Sequence, residues 1–117
     1  MSIRHESIKS VEIIVLPARL SMAESGDIRE SINALIEKGC EHLVLDLEQV
    51  NFIDSSGLSV LVSTLKAVTP HQGGVVLLSP SNGVRSLIEL TRLHQVFAIF
   101  EDLAAALHEL GSAEVSS

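Results

Sequence analysis

Tryptophan and tyrosine are missing from this chain, and phenylalanine occurs only as Phe52, Phe97 and Phe100. Any core must therefore be assembled from Leu, Ile, Val and Ala. Cysteine is limited to Cys40, so no intrachain disulfide can form and a metal site of the cysteine-pair type is excluded. That usage fits a reducing, cytoplasmic setting. Positive charge is also scarce: eight Lys and Arg stand against fifteen Asp and Glu, a net charge of −7. Nucleic-acid and anionic-lipid surfaces both need clustered basic residues, so neither partner is expected. Acidity of this size serves solubility; the sharper alternative is a basic protein partner. No apolar run approaches membrane-spanning length, and no basic-plus-apolar leader opens the sequence, so membrane insertion is not expected.

What the chain does hold is apolar residue in quantity. At 46% hydrophobic and 20% charged, its 117 residues suffice for one domain with a core of its own, and disorder is excluded. No internal repeat, low-complexity tract or linker divides it.

The stretch from Leu43 to Leu58 is the most informative. Leu43, Val44, Leu45 and Leu47 are apolar on both alternating faces, the pattern of a strand covered on each side. Asp54, Ser55 and Ser56 are all good N-cap types, and Leu58, Leu61, Val62, Leu65 and Val68 follow at helical spacing. A serine at such a helix head sits beside free backbone N–H groups and the positive pole of the helix dipole, where a phosphate would be tolerated.

Around this segment the chain alternates. Ile3 to Ile8 reads as a weak strand, Lys9-Ser10 as a tight turn, and Val11 to Leu16 as a second strand ended by Pro17. Ser21 and Glu24 make a capping-box pattern before a helix through Ile28, Ile32, Leu35 and Ile36, with Gly39 as its C-terminal cap. Gly26 inside that helix should cost roughly 1 kcal/mol and leaves it open to fraying or bending. The 42–48 strand and a helix over about 56–69, closed by Pro70, come next. Val75 to Ser79 is a short apolar strand, Ser81 caps a helix presenting Val84, Leu87 and Ile88, and Val96 to Phe100 is a last strand. Asp102 then caps a helix with Leu103, Ala106, Leu107 and Leu110 on its apolar stripe, ended by Gly111, and residues 112–117 are expected to be disordered. Two strands followed by alternating helix and strand predict an α/β domain with a parallel centre and an antiparallel N-terminal strand.

Strand, Phe52-Ile53-Asp54-Ser55-Ser56-Gly57-Leu58 and the helix through Lys66 closely resemble the phosphorylation segment of the STAS-domain anti-sigma-factor antagonists, the bacterial partner-switching proteins. The likeness extends more loosely from about Ile3 to Leu110. It implies a single STAS domain over residues 1–111, with a small, mixed, mostly parallel sheet and interspersed helices. It further implies a non-catalytic, cytoplasmic, monomeric regulator that binds an anti-sigma serine kinase when unmodified and is released by phosphorylation. A serine phosphatase would reset it, and no cofactor is needed. The serine directly after the aspartate is the family's phosphoacceptor, which maps to Ser55. Asp54, Ser56 and Gly57 are then supporting residues, with capping the preferred role for Ser56. The family usually carries a glycine and then an aspartate after the second strand; here Ala18 and Ser21 stand there, with Arg19 and Leu20 between them. Ser21, Ser59, Ser63 and Lys66 are the candidate partner-binding residues, the last three falling at i, i+4 and i+7 on one side of the motif helix. The alternative within the same fold is an accessory subunit of a lipid-transport ATPase, without phosphate cycling.

Other motifs carry less. Ser63-Thr64-Leu65-Lys66 matches the Ser-x-x-Lys string of penicillin-binding enzymes, but the chain is too short for that fold and both companion motifs are missing. A hydrolase using Ser55 or Ser63 would lack a neighbouring base. The five histidines show no ligand spacing, so no metal site is expected. Asp46 inside the apolar strand requires hydrogen-bond donors and reads as structural.

Overall fold

A computed structural model describes residues 4–8, 11–71 and 73–115. The chain runs β1 (Arg4–Ile8), β2 (Val11–Val15), β3 (Arg19–Leu20), α1 (Met22–Glu37), β4 (His42–Asp46), β5 (Phe52–Ile53) and α2 (Ser55–Val68). It continues through β6 (Gly74–Leu78), α3 (Asn82–Leu90), β7 (Ala98–Phe100) and α4 (Leu103–Val115). The expected turn at Lys9-Ser10 lies outside the described residues.

Five strands form the main sheet in the order β1-β2-β4-β6-β7. β1 pairs antiparallel with β2, and every other neighbour is parallel. This is the mixed, mostly parallel sheet expected from the sequence. Alternation along the central strands sends side chains to two separate clusters. Leu43 and Leu45 join Ile14, Val75 and Leu77 under α1, α2 and α3, which contribute Ile28, Ile32, Val60, Leu61, Val68, Val84 and Ile88. Val44 points the other way, with Val11, Ile13, Val76 and Leu78, and this face is covered by Ala106 and Leu110 of α4. Leu65 and Leu107, on the apolar stripes of α2 and α4, are half-buried at the margins of the two clusters.

Local signals set most of the boundaries. α1 ends in a Schellman motif: the Gly39 N–H donates to the Ile36 carbonyl at 3.0 Å and the Cys40 N–H to that of Leu35 at 3.1 Å. Gly39 takes φ +105°, which a side chain would strain. α1 runs through Gly26 without interruption. The Ala105 N–H donates to Asp102 Oδ2 at 3.0 Å at the head of α4. Asp46, half-buried, accepts the Glu48 N–H at 2.9 Å and so has its donor.

Two expectations need correction, and one pairing was not foreseen. α4 does not stop at Gly111 but continues to Val115, so residues 112–115 are helical, not a disordered tail. A glycine inside a helix costs only about 1 kcal/mol, and Ala113 and Glu114 beyond it favour helix. Val96 lies outside the last strand: a 3₁₀ turn at Leu93–Gln95 precedes it, β7 begins at Ala98, and the Val96 side chain is exposed. Finally, β3 and β5 form a separate two-stranded parallel sheet, pairing Arg19 with Phe52 and Leu20 with Ile53, which the sequence reading missed.

Candidate functional site

The small β3–β5 sheet brings the heads of α1 and α2 together. Each strand is followed within two residues by a helix, so parallel pairing of the strands places the two helix N-termini side by side. Asp54 fastens them. Its Oδ1 accepts the Gly57 N–H at 3.0 Å, capping its own helix, while its Oδ2 accepts the Met22 N–H at 3.1 Å, capping α1 from 32 residues away. One carboxylate thus satisfies orphan donors of two helices. The Gly57 N–H above all, helped by those of Met22 and Ser56, holds the Asp54 carboxyl below its ordinary pKa of 3.8, although burial opposes the shift.

The N-cap of α2 is therefore Asp54, and the capping role expected for Ser56 is not observed; Ser56 is the second residue of the helix. A carboxylate that reaches two helices takes the position, leaving both serines inside the first turn. Ser55 is the first helical residue and is exposed, whereas Ser56 is half-buried. Gly57 is buried for a steric reason. A Cβ there would come within 2.2 Å of the Leu20 carbonyl oxygen, so the close approach of α2 to β3 requires glycine.

The head of α1 is built by Ser21 and Glu24, which form the expected capping box. Glu24 Oε1 accepts both the Ser21 N–H at 2.9 Å and the Ser21 hydroxyl at 2.5 Å. The Ser21 hydroxyl, then its backbone N–H, lowers the Glu24 pKa. Ser21 itself is buried, so it frames the junction from within and does not present its hydroxyl at the surface.

Along α2 the remaining candidates separate. Ser59 and Lys66 are exposed; Ser63 is half-buried and donates to the Val60 carbonyl at 3.1 Å. Ser59 accepts from Arg29 Nη2 of α1 at 3.3 Å, so it belongs to a face shared by both helices. Beside the junction, Met22 is 75% and Phe52 41% exposed, and the Arg19 guanidinium lies 4.3 Å from the centre of the Phe52 ring. Sequence reasoning missed Arg19, Met22, Arg29 and Phe52 as parts of this surface. Cys40 is half-buried, and burial raises its pKa, which disfavours the thiolate. Among the described residues no group of three or more His, Cys, Asp and Glu could hold a metal ion, and no helix is long and apolar enough to cross a membrane.

A mixed α/β sheet with three helices on one face, one on the other, and an exposed serine at a joined pair of helix heads defines a small α/β module of STAS type. The family model for the STAS domain matches residues 2–106, and the chain belongs to that family. It is 29% identical over 111 residues to the anti-sigma F factor antagonist of Paenibacillus polymyxa, covering 94% of this chain and 95% of that protein. An anti-sigma-factor antagonist (STAS) domain protein from Planctomyces limnophilus superimposes with a TM-score of 0.84 at 26% identity, over 93% of this chain and 97% of that one. The unphosphorylated anti-sigma factor antagonist SpoIIAA has the same fold, with a TM-score of 0.84 at 21% identity, over 95% and 97% of the two chains.

Proposed function

We propose that this domain is an anti-sigma-factor antagonist that binds an anti-sigma serine kinase when unmodified and is released when Ser55 is phosphorylated. The observation that carries the reading is the position of Ser55: exposed, first in α2, and set at the junction that Asp54 makes between two helix heads. Its relatives' names as anti-sigma factor antagonists support the same reading. The domain acts as substrate and binding partner, not as catalyst, because the kinase supplies the base and the magnesium. Transfer would form the bond from Ser55 Oγ to the γ-phosphorus of ATP, expel ADP and hand the hydroxyl proton to the kinase. A serine phosphatase would reverse the modification by hydrolysis.

Phosphorylation adds about −1.5 to −2 charge at pH 7. The fold has reason to survive it. The caps of α1 and α2 come from Asp54 and the Ser21–Glu24 pair, not from the Ser55 hydroxyl, and a helix N-terminus favours an anion. The switch then operates at the surface, where a phosphate must be desolvated or repelled on docking. Ser59 and Lys66, with Met22 and Phe52 beside the junction, would complete the docking face. Ser21 and Ser63 contribute from behind it.

Incubation with the cognate kinase and labelled ATP, followed by phosphosite mapping, tests the assignment. Label should appear on Ser55 and vanish in Ser55→Ala. Calorimetry should show affinity at least tenfold weaker for the phosphorylated form, a difference of about 1.4 kcal/mol. Label elsewhere would overturn the site; equal affinities would overturn the switch and point to a constitutive accessory module, as in a lipid-transport ATPase complex.

A further inference from the structure

A cation stands one turn below Ser55, and it comes from the other helix. Arg29 of α1 reaches across to α2, where its Nη2 donates to the Ser59 hydroxyl at 3.3 Å. Ser59 follows Ser55 by four residues, so the two side chains share one face with Cβ atoms about 5–6 Å apart. Side chains on a helix lean toward its N-terminus, which for Arg29 is the junction where Asp54 joins α1 to α2.

We propose that Arg29 is a phosphate clamp: when Ser55 is phosphorylated, the guanidinium leaves the Ser59 hydroxyl and pairs with the phosphate. The clamp rests on the reading of Ser55 as phosphoacceptor and assigns how the modified state is held. The exchange is favourable on both sides. A 3.3 Å bond to a neutral, exposed hydroxyl is long and easily surrendered. A phosphate offers charge-assisted and bidentate bonding to the planar guanidinium. The carboxylates at the junction already hold donors of their own: Asp54 accepts from Met22 and Gly57, and Glu24 Oε1 accepts from Ser21. Ser59 is then the resting place of Arg29 in the unmodified protein. The clamp would lay the phosphate across both helices, fixing an anion on the docking face.

Phosphoserine installed at position 55 during translation gives the modified full-length protein without any kinase. Thermal unfolding is then measured for unmodified and phosphorylated protein, each with Arg29 and with Arg29→Gln. Phosphorylation should raise Tm by about 3 °C more when Arg29 is present, and this difference should shrink at 1 M salt. Arg29→Lys should keep part of it, and Ser59→Ala all of it. In the NMR spectrum of the Arg29 protein, the arginine Nε–H signal should move on phosphorylation, a readout that holds even if a variant folds poorly. Equal Tm changes with and without Arg29, or an unmoved Nε–H signal, overturn the clamp. Kinase labelling run in parallel addresses the other reading: label on a different residue would defeat Ser55 as the natural acceptor while leaving the measured coupling intact.

Discussion

Gly57→Ala is the substitution most sharply at odds with ordinary helix rules. Alanine is the better helix former by about 1 kcal/mol, and Gly57 lies inside the first turn of α2. Propensity alone therefore favours the change. The surroundings oppose it: the new Cβ would lie 2.2 Å from the Leu20 carbonyl oxygen, 2.7 Å from Ile53 Cγ1 and 2.9 Å from Leu20 Cγ. The first of these is a backbone atom that cannot rotate away. Relief requires moving the head of α2 from β3 by roughly 1 Å, an overpacking strain that costs about 1–3 kcal/mol. That movement also endangers the Asp54 N–H to Leu20 carbonyl bond at 3.3 Å and the Asp54 bond to Met22, each hydrogen bond being worth about 1 kcal/mol. The net expectation is a loss of about 2–3 kcal/mol. Gly26→Ala is the matched control, since nothing lies within 4 Å of its added Cβ; it should gain up to about 1 kcal/mol. Urea unfolding followed by circular dichroism gives both values from the midpoint and slope. Should Gly57→Ala prove as stable as the parent, the close approach of α2 to β3 would not be what demands glycine.

Leu45→Ala empties a fully buried position in the central strand and should cost about 2–5 kcal/mol in the same urea assay; a loss under 1 kcal/mol would refute its central place. Ser21→Ala should cost about 1 kcal/mol by deleting the capping hydroxyl. Ser21→Asp, which restores the family's acid, should be the more destabilising of the two at pH 7, because its carboxylate would face Glu24 where the hydroxyl now donates at 2.5 Å. If the aspartate variant is as stable as the parent, Glu24 must swing away. Asp54 binds its donors as a carboxylate and its pKa is lowered in the folded state, so its contribution is full above the ordinary value of 3.8 and fades as pH falls below it. Asp54→Asn should therefore lower stability at pH 7 and flatten the acid limb of the stability curve; an unchanged limb would mean the double cap is not formed.

The elements that carry their own local signal were readable in advance. β4 showed an apolar run, α2 showed N-cap residues before a 3.6-residue stripe, Ser21 and Glu24 showed the capping box, and Gly39 marked the end of α1. β3 and β5 were not legible, because two residues are too few to show a period and their pairing joins positions 33 apart, Arg19 with Phe52. For the same reason the role of Asp54 was only half visible. Its bond to Gly57 follows from the N-cap rule, but its bond to Met22 depends on chain segments that meet only in the folded domain. Arg29 gave no signal either, since a charged residue on a solvated helix face looks the same with or without a neighbour across the groove. At Gly111 the sequence rule misled, as glycine stops a helix only when the chain has reason to turn there.

The parallel pairing of β3 with β5 also governs when the surface around Ser55 comes into being. Residues 19–22 leave the ribosome long before residues 52–57, and neither segment can build the junction alone. The surface is thus composed late, by docking of two remote segments, and a chain in which α1 has come loose loses it at once. A partner of the kind proposed, reading both helix heads, would therefore require both segments to be folded and docked.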